Sequence, residues 1–159
     1  MMKKLLTTIS LALTLCLSLT TVFAAPSINK NGAVKKDSIL INGEKVDANT
    51  TAAFDSKKET YSAAGVSDET IDVIEKVNAN PSQLASLIKG VDLSGYSLLT
   101  EFQDLSVYVN GELKQKVKNV TLTWEVPNLV KTAKNVKVLH YSTERNTWEI
   151  LTPKSVDFD

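Results

Sequence analysis

Val120-Thr121-Leu122-Thr123-Trp124-Glu125-Val126 alternates apolar with polar residues. That is the period-two signature of a strand with one dry and one wet face. After Pro127 a short polar connection leads to Val136-Lys137-Val138-Leu139-His140-Tyr141, and the loop Ser142–Thr147 returns the chain into Trp148-Glu149-Ile150-Leu151. Three short runs rich in Val, Thr, Tyr and Trp, broken by polar turns, predict part of an antiparallel sheet. The stretch decides a fold class, not a function.

Working outward, the N-terminus has a different character. Lys3 and Lys4 precede an uncharged apolar run from Leu5 to Phe23, followed by Ala24, Ala25 and Pro26. A basic start, an apolar middle and small residues at the end form a secretory signal peptide. Val22 and Ala24 occupy the two positions a signal peptidase reads, so cleavage is expected between Ala24 and Ala25. Cys16 is the only cysteine and lies inside this leader; Leu15 before it is too bulky for a lipoprotein site. The mature chain is therefore expected to be cysteine-free, held by an ordinary core rather than disulfides. Removing Lys3 and Lys4 from the 18 basic residues leaves 16 against 18 acidic ones. Such balanced charge argues against a nucleic-acid partner, which selects a basic stripe. No second apolar run is long enough to span a bilayer, so no membrane association is expected after cleavage.

Residues 25–37 are polar and aperiodic and are expected to form a flexible arm. Residues 38–95 are expected to hold a hairpin and a helix pair. Asn42-Gly43 sits between Ser38-Ile39-Leu40-Ile41 and Glu44-Lys45-Val46; Asn-Gly suits a two-residue turn in which both residues need positive φ. Asn49–Ala64 reads as loop with an irregular strand around Tyr61. Ser67 caps a helix that carries Ile71, Ile74 and Val77 on one stripe. Asn80, Pro81 and Gly90 bracket a second, with Leu84, Leu87 and Ile88 on its apolar side. Residues 96–159 are expected to form the sandwich proper. Tyr96–Phe102 and Leu105–Val109 read as two strands or one bulged strand, and Asn110-Gly111 repeats the hairpin signal. Val156-Asp157-Phe158-Asp159 starts a strand with no visible sequel, so a final strand is expected to be missing.

The runs Val120–Pro127, Val136–Tyr141 and Trp148-Glu149-Ile150 resemble a module of small secreted proteins of Gram-positive anaerobes, a largely uncharacterised group. The resemblance covers about the last third of the chain. It implies an immunoglobulin-like β-sandwich and carries no catalytic residues. The fold class expected is α+β: an antiparallel Ig-like β-sandwich with two short helices, preceded by a cleaved signal peptide.

Candidate chemistry is sparse. His140 is the only histidine, too few ligands for a zinc site, and no Gly-x-Ser-x-Gly elbow accompanies it. Glu101 with Asp104, or Glu144 with Glu149, are the carboxylate pairs to weigh for glycoside hydrolysis. Asp157 and Asp159 lack the further oxygen ligands of a calcium loop. No catalytic, metal-binding or cofactor-binding residue is assigned, and no cofactor is expected. Trp124 and Trp148 are expected in the core, leaving Tyr108 and Tyr141 as candidate ligand contacts. The expected role is a secreted or cell-surface, non-enzymatic interaction module for a protein or polysaccharide. A carbohydrate-binding module of the cell wall is the alternative, a small secreted hydrolase the second. The sheet is expected to be closed from within by Ile39–Val46 folding back, or the chain is simply short; the alternative is strand complementation or dimerisation through an open sheet edge.

Overall fold

The computed structural model describes residues 4–9 and 14–19 as backbone strands, and residues 32–114 and 117–158 in full. The order is β1 (Lys4–Ile9), β2 (Thr14–Leu19), β3 (Ala33–Val34), β4 (Leu40–Ile41), β5 (Glu44–Lys45), β6 (Thr50–Asp55), α1 (Lys58–Ala63) and α2 (Asp68–Ala79). A 3-10 turn at Pro81–Gln83 then runs into α3 (Leu84–Leu87). Next come β7 (Tyr96–Leu98), β8 (Asp104–Val109), β9 (Glu112–Lys114), β10 (Val120–Glu125), β11 (Lys134–Ser142), β12 (Thr147–Leu151) and β13 (Ser155–Asp157). The described residues thus form a mixed α/β protein, mostly antiparallel sheet with three short helices, arranged as a β-sandwich-like fold.

One sheet runs β13-β1-β10-β4-β5, with β3 also on β10; a second runs β12-β11-β2-β7; a third is β6-β8-β9. Val120, Leu122 and Trp124 on β10 are fully buried. They share an inter-sheet core with Leu105 and Val107 of β8 and with Val136 and Val138 of β11. Leu139 and Tyr141 of β11 fall in another core, with Ile71, Ile74 and Val77 of α2 and with Leu84, Ile88 and Phe102. Successive strand residues point to opposite faces, so β11 belongs to both cores. The architecture is sheet on sheet, with the helices covering the outer face of the second sheet.

Local chemistry explains the punctuation. Asn42 and Gly43 have φ of 53° and 83°, Asn110 and Gly111 of 54° and 78°, the double positive φ of a tight hairpin turn. Ser67 caps α2 by accepting the Thr70 N–H, and Asp68 and Glu69 sit in its positive first turn. Between β3 and β4 the chain leaves the β10 ladder at Asp37, whose φ is 60°. Ser38 Oγ then accepts the Thr123 N–H that this excursion would strand, at 3.0 Å, and donates to Lys35 O at 2.7 Å.

Several expectations are corrected. Asn49–Ala64 is not loop: β6 and α1 occupy it, and Tyr61 is helical. Its hydroxyl donates to Phe102 O at 2.7 Å, pinning α1 to the core. The second expected helix is a 3-10 turn plus a single turn of α3, ended by the extended backbone of Ile88 (φ −89°, ψ 125°); Asn80 Oδ1 accepts from Ser82 Oγ and not from a backbone N–H. The strand expected over Tyr96–Phe102 stops at Leu98. Ser155–Asp157 does pair, in register with Lys4–Leu6. The expected cleavage residues Ala24 and Ala25, and most of the expected arm, lie outside the described residues.

Candidate functional site

Three places gather unusual chemistry. The first is where β11 meets β12. His140 lies opposite Glu149 in the ladder and is 3% exposed. Its Nδ1 stands 2.7 Å from Glu149 Oε1, within hydrogen-bond distance. The second carboxylate oxygen accepts from Arg145 Nη2 at 2.5 Å. Glu149 thus bridges a buried imidazole and an exposed guanidinium. His140 Nε2, the atom that would activate a nucleophile, is buried without a hydrogen-bond partner among the described residues. Glu144 turns away to Lys118 at 3.2 Å, so the pair Glu144/Glu149 does not converge.

The second place surrounds Asp104, whose partner across the ladder is Asp55. Asp104 is 5% exposed; Ser106 Oγ donates to its Oδ2 at 3.1 Å, and its Oδ1 has no partner among the described residues. Burial raises its pKa to about 6, against the lowering from Ser106, with Asp55 adding repulsion. Burial, then the nearby charge of Glu101, also pushes the Tyr61 phenol well above its ordinary range. Gln103, buried beside Asp104 in the chain, likewise leaves its Oε1 unpartnered. Nothing in the strand pattern marks these two polar residues as interior. No group of three or more His, Cys, Asp or Glu converges to hold a metal ion among the described residues.

The aromatic residues do not form one platform. Trp124 is in the core, tilted against Phe54 at 4.6 Å between ring centres. Trp148 is half-buried against Phe102 and Tyr141. Tyr141, expected to be free for a ligand, is only 5% exposed; the helix layer covers it, and Thr70 Oγ1 lies 3.4 Å from its hydroxyl. Tyr108 stays half-buried on the third sheet, in register with Leu113, which is 45% exposed.

The third place is in the backbone. β1 lies between β13 and β10, and β2 between β11 and β7. The register sets Leu5, Thr7 and Ile9 opposite Trp124, Leu122 and Val120. Lys4 stands opposite both Glu125 and Asp157. Leu15 and Cys16 stand opposite Leu139 and Val138, and Leu17 opposite Leu98. The stretch with the composition of a leader therefore holds an interior position in each of the two main sheets. Among the described residues no helix is long and apolar enough to cross a membrane. The chain matches no protein-family model, no curated protein and no solved structure.

Proposed function

We propose that this chain is an exported, non-enzymatic interaction module of the cell surface, an Ig-like sandwich freed from its leader between Ala24 and Ala25. It belongs, in this reading, with the small secreted proteins of Gram-positive anaerobes that its last third resembles. The observation that carries the proposal is where the polar chemistry lies. His140, Asp104 and Gln103 are all inside, at 5% exposure or less. A surface concavity of about 460 Å³ between β3, β5 and β6, lined by residues such as Lys35, Lys45, Val46 and Thr50, and another of about 510 Å³ lined by Lys58, Glu59 and Asp68, include none of them. Buried groups of this kind specify packing, whereas a working site places its reactive atoms in a cleft. What remains outside is turns, strand edges and mixed charge, the surface of a module that meets other macromolecules.

The test is expression with the native leader in a Gram-positive host, followed by mass measurement and binding to insoluble peptidoglycan. A product in the medium or wall fraction that begins at Ala25 supports the reading. Full-length chain held in the cytoplasm overturns it. Retention on peptidoglycan that is lost in Tyr108→Ala would replace the protein-partner reading by the polysaccharide one. Hydrolysis of wall polymer that is lost in His140→Ala would replace it by the hydrolase.

A further inference from the structure

We infer that the mature chain is a strand receptor: once residues 1–24 are gone, the positions of β1 and β2 accept an extended apolar segment of another protein, basic at its leading end. The inference rests on the reading of residues 1–24 as a cleaved leader.

β10 has β3 and β4 along one edge and β1 along the other; β11 has β12 on one edge and β2 on the other. Removing β1 and β2 bares one edge of each strand. Among the described residues β13 pairs with β1 and with no other strand, and β7 with β2 alone, so both lose their partner. Each bared edge is a row of backbone donors and acceptors lying directly over buried apolar side chains. An interior edge of this kind templates pairing with another chain, and strand addition is a recurring way for one protein to bind another.

The register states what the occupant must look like. Along β10 it faces the fully buried Val120, Leu122 and Trp124 at alternate positions, so its first strand is apolar at every second residue. Along β11 it passes both Val138, in the inter-sheet core, and Leu139, in the helix-side core, so its second strand is apolar on both faces. At the leading end one position stands between Glu125 and Asp157, occupied by Lys4 in the full chain. Two carboxylates at one position select a cation. Four residues, Ser10 to Leu13, separate the two strands in the full chain, which sets the span an occupant has to cross.

The test uses the exported product itself, its N-terminus fixed by mass, and a synthetic peptide of residues 4–19 with Cys16 replaced by Ser and a lysine tail for solubility. Expected is saturable binding that slows amide exchange at least tenfold, as a rough threshold, in Val120–Glu125 and Val136–His140. A peptide carrying Leu5→Asp, Leu15→Asp and Leu17→Asp is expected to do nothing. Glu125→Lys combined with Asp157→Lys weakens the peptide at least about tenfold, the effect of one charge pair or more, and Lys4→Glu in the peptide restores it. A merely structural pair would show no such rescue. A product beginning at Ala25 whose β10 and β11 amides ignore the peptide, or are already protected by closure or by self-association in ultracentrifugation, overturns the receptor and leaves the export reading intact. A product that still carries residues 1–24 overturns the export reading and the receptor with it.

Discussion

β10 and β11 sit in facing sheets and each pairs with one N-terminal strand, yet they solve different problems. β10 sends Val120, Leu122 and Trp124 into one core; its other face is polar, with Thr121 buried and Thr123 and Glu125 half-buried. β11 buries successive residues, Val138 and Leu139, in two separate cores. A strand with one dry face needs only a facing sheet. A strand with two needs a third layer, and α2 with its neighbours supplies it. The cost of disturbance should differ in the same way: β10 fails by losing sheet-to-sheet packing, β11 by losing either layer separately.

The harshest way to break this contrast is Trp124→Ala. It removes the largest side chain of the inter-sheet core and should cost about 3–5 kcal/mol, read as a lowered midpoint in urea with the helix layer disturbed only on global unfolding. Leu139→Ala should cost about 2–5 kcal/mol and raise amide exchange in Ile71–Val77. Val138→Ala, one residue away, should raise exchange in Val120–Glu125 instead. Equal responses of both layers to both substitutions would show that β11 does not separate two cores.

Asp104 sharpens the comparison through pH. Its folded-state pKa of about 6 lies above the ordinary aspartate value of 3.8, so the folded chain binds more protons than the unfolded one between those values. Stability should therefore fall as pH rises from about 4 to 6 and level off above, by up to about 3 kcal/mol. Asp104→Asn should flatten that slope and stabilise the protein at neutral pH, measured by urea titrations at pH 4, 5, 6 and 7. The smallest effect belongs to the helix layer: Ser67→Ala removes the cap of α2 and should cost about 1 kcal/mol.

These differences also explain what could be read in the chain. The one-sided alternation of β10, the two Asn-Gly turns and the Ser67 cap are local, each set by residues within a few positions of one another. β6 is not local. Thr50-Thr51-Ala52-Ala53 has weak strand character, and β6 exists because Ala52 and Phe54 lie opposite Val107 and Leu105 of β8. Tyr141 read as free because strand alternation says which residues share a face and not what covers that face; the helix layer decides it. Asp104 and Gln103 carried no sign of burial, since a polar residue on a strand is by default on the wet side. The N-terminus was legible in one sense only. Its basic start and apolar run satisfy a leader, and Leu5-Leu6-Thr7-Thr8-Ile9 also satisfies a strand, so two uses of one pattern overlap.

Whether residues 4–9 and 14–19 do complete both sheets while attached is the claim on which the architecture turns. Residue-resolved amide exchange on the full chain, produced without an export machinery so that nothing is removed, tests it most directly. The account predicts that Leu5–Ile9 and Leu15–Leu19 exchange as slowly as Val120–Glu125 and Val136–His140. Fast exchange through residues 4–19, with β10 and β11 still protected, would contradict it.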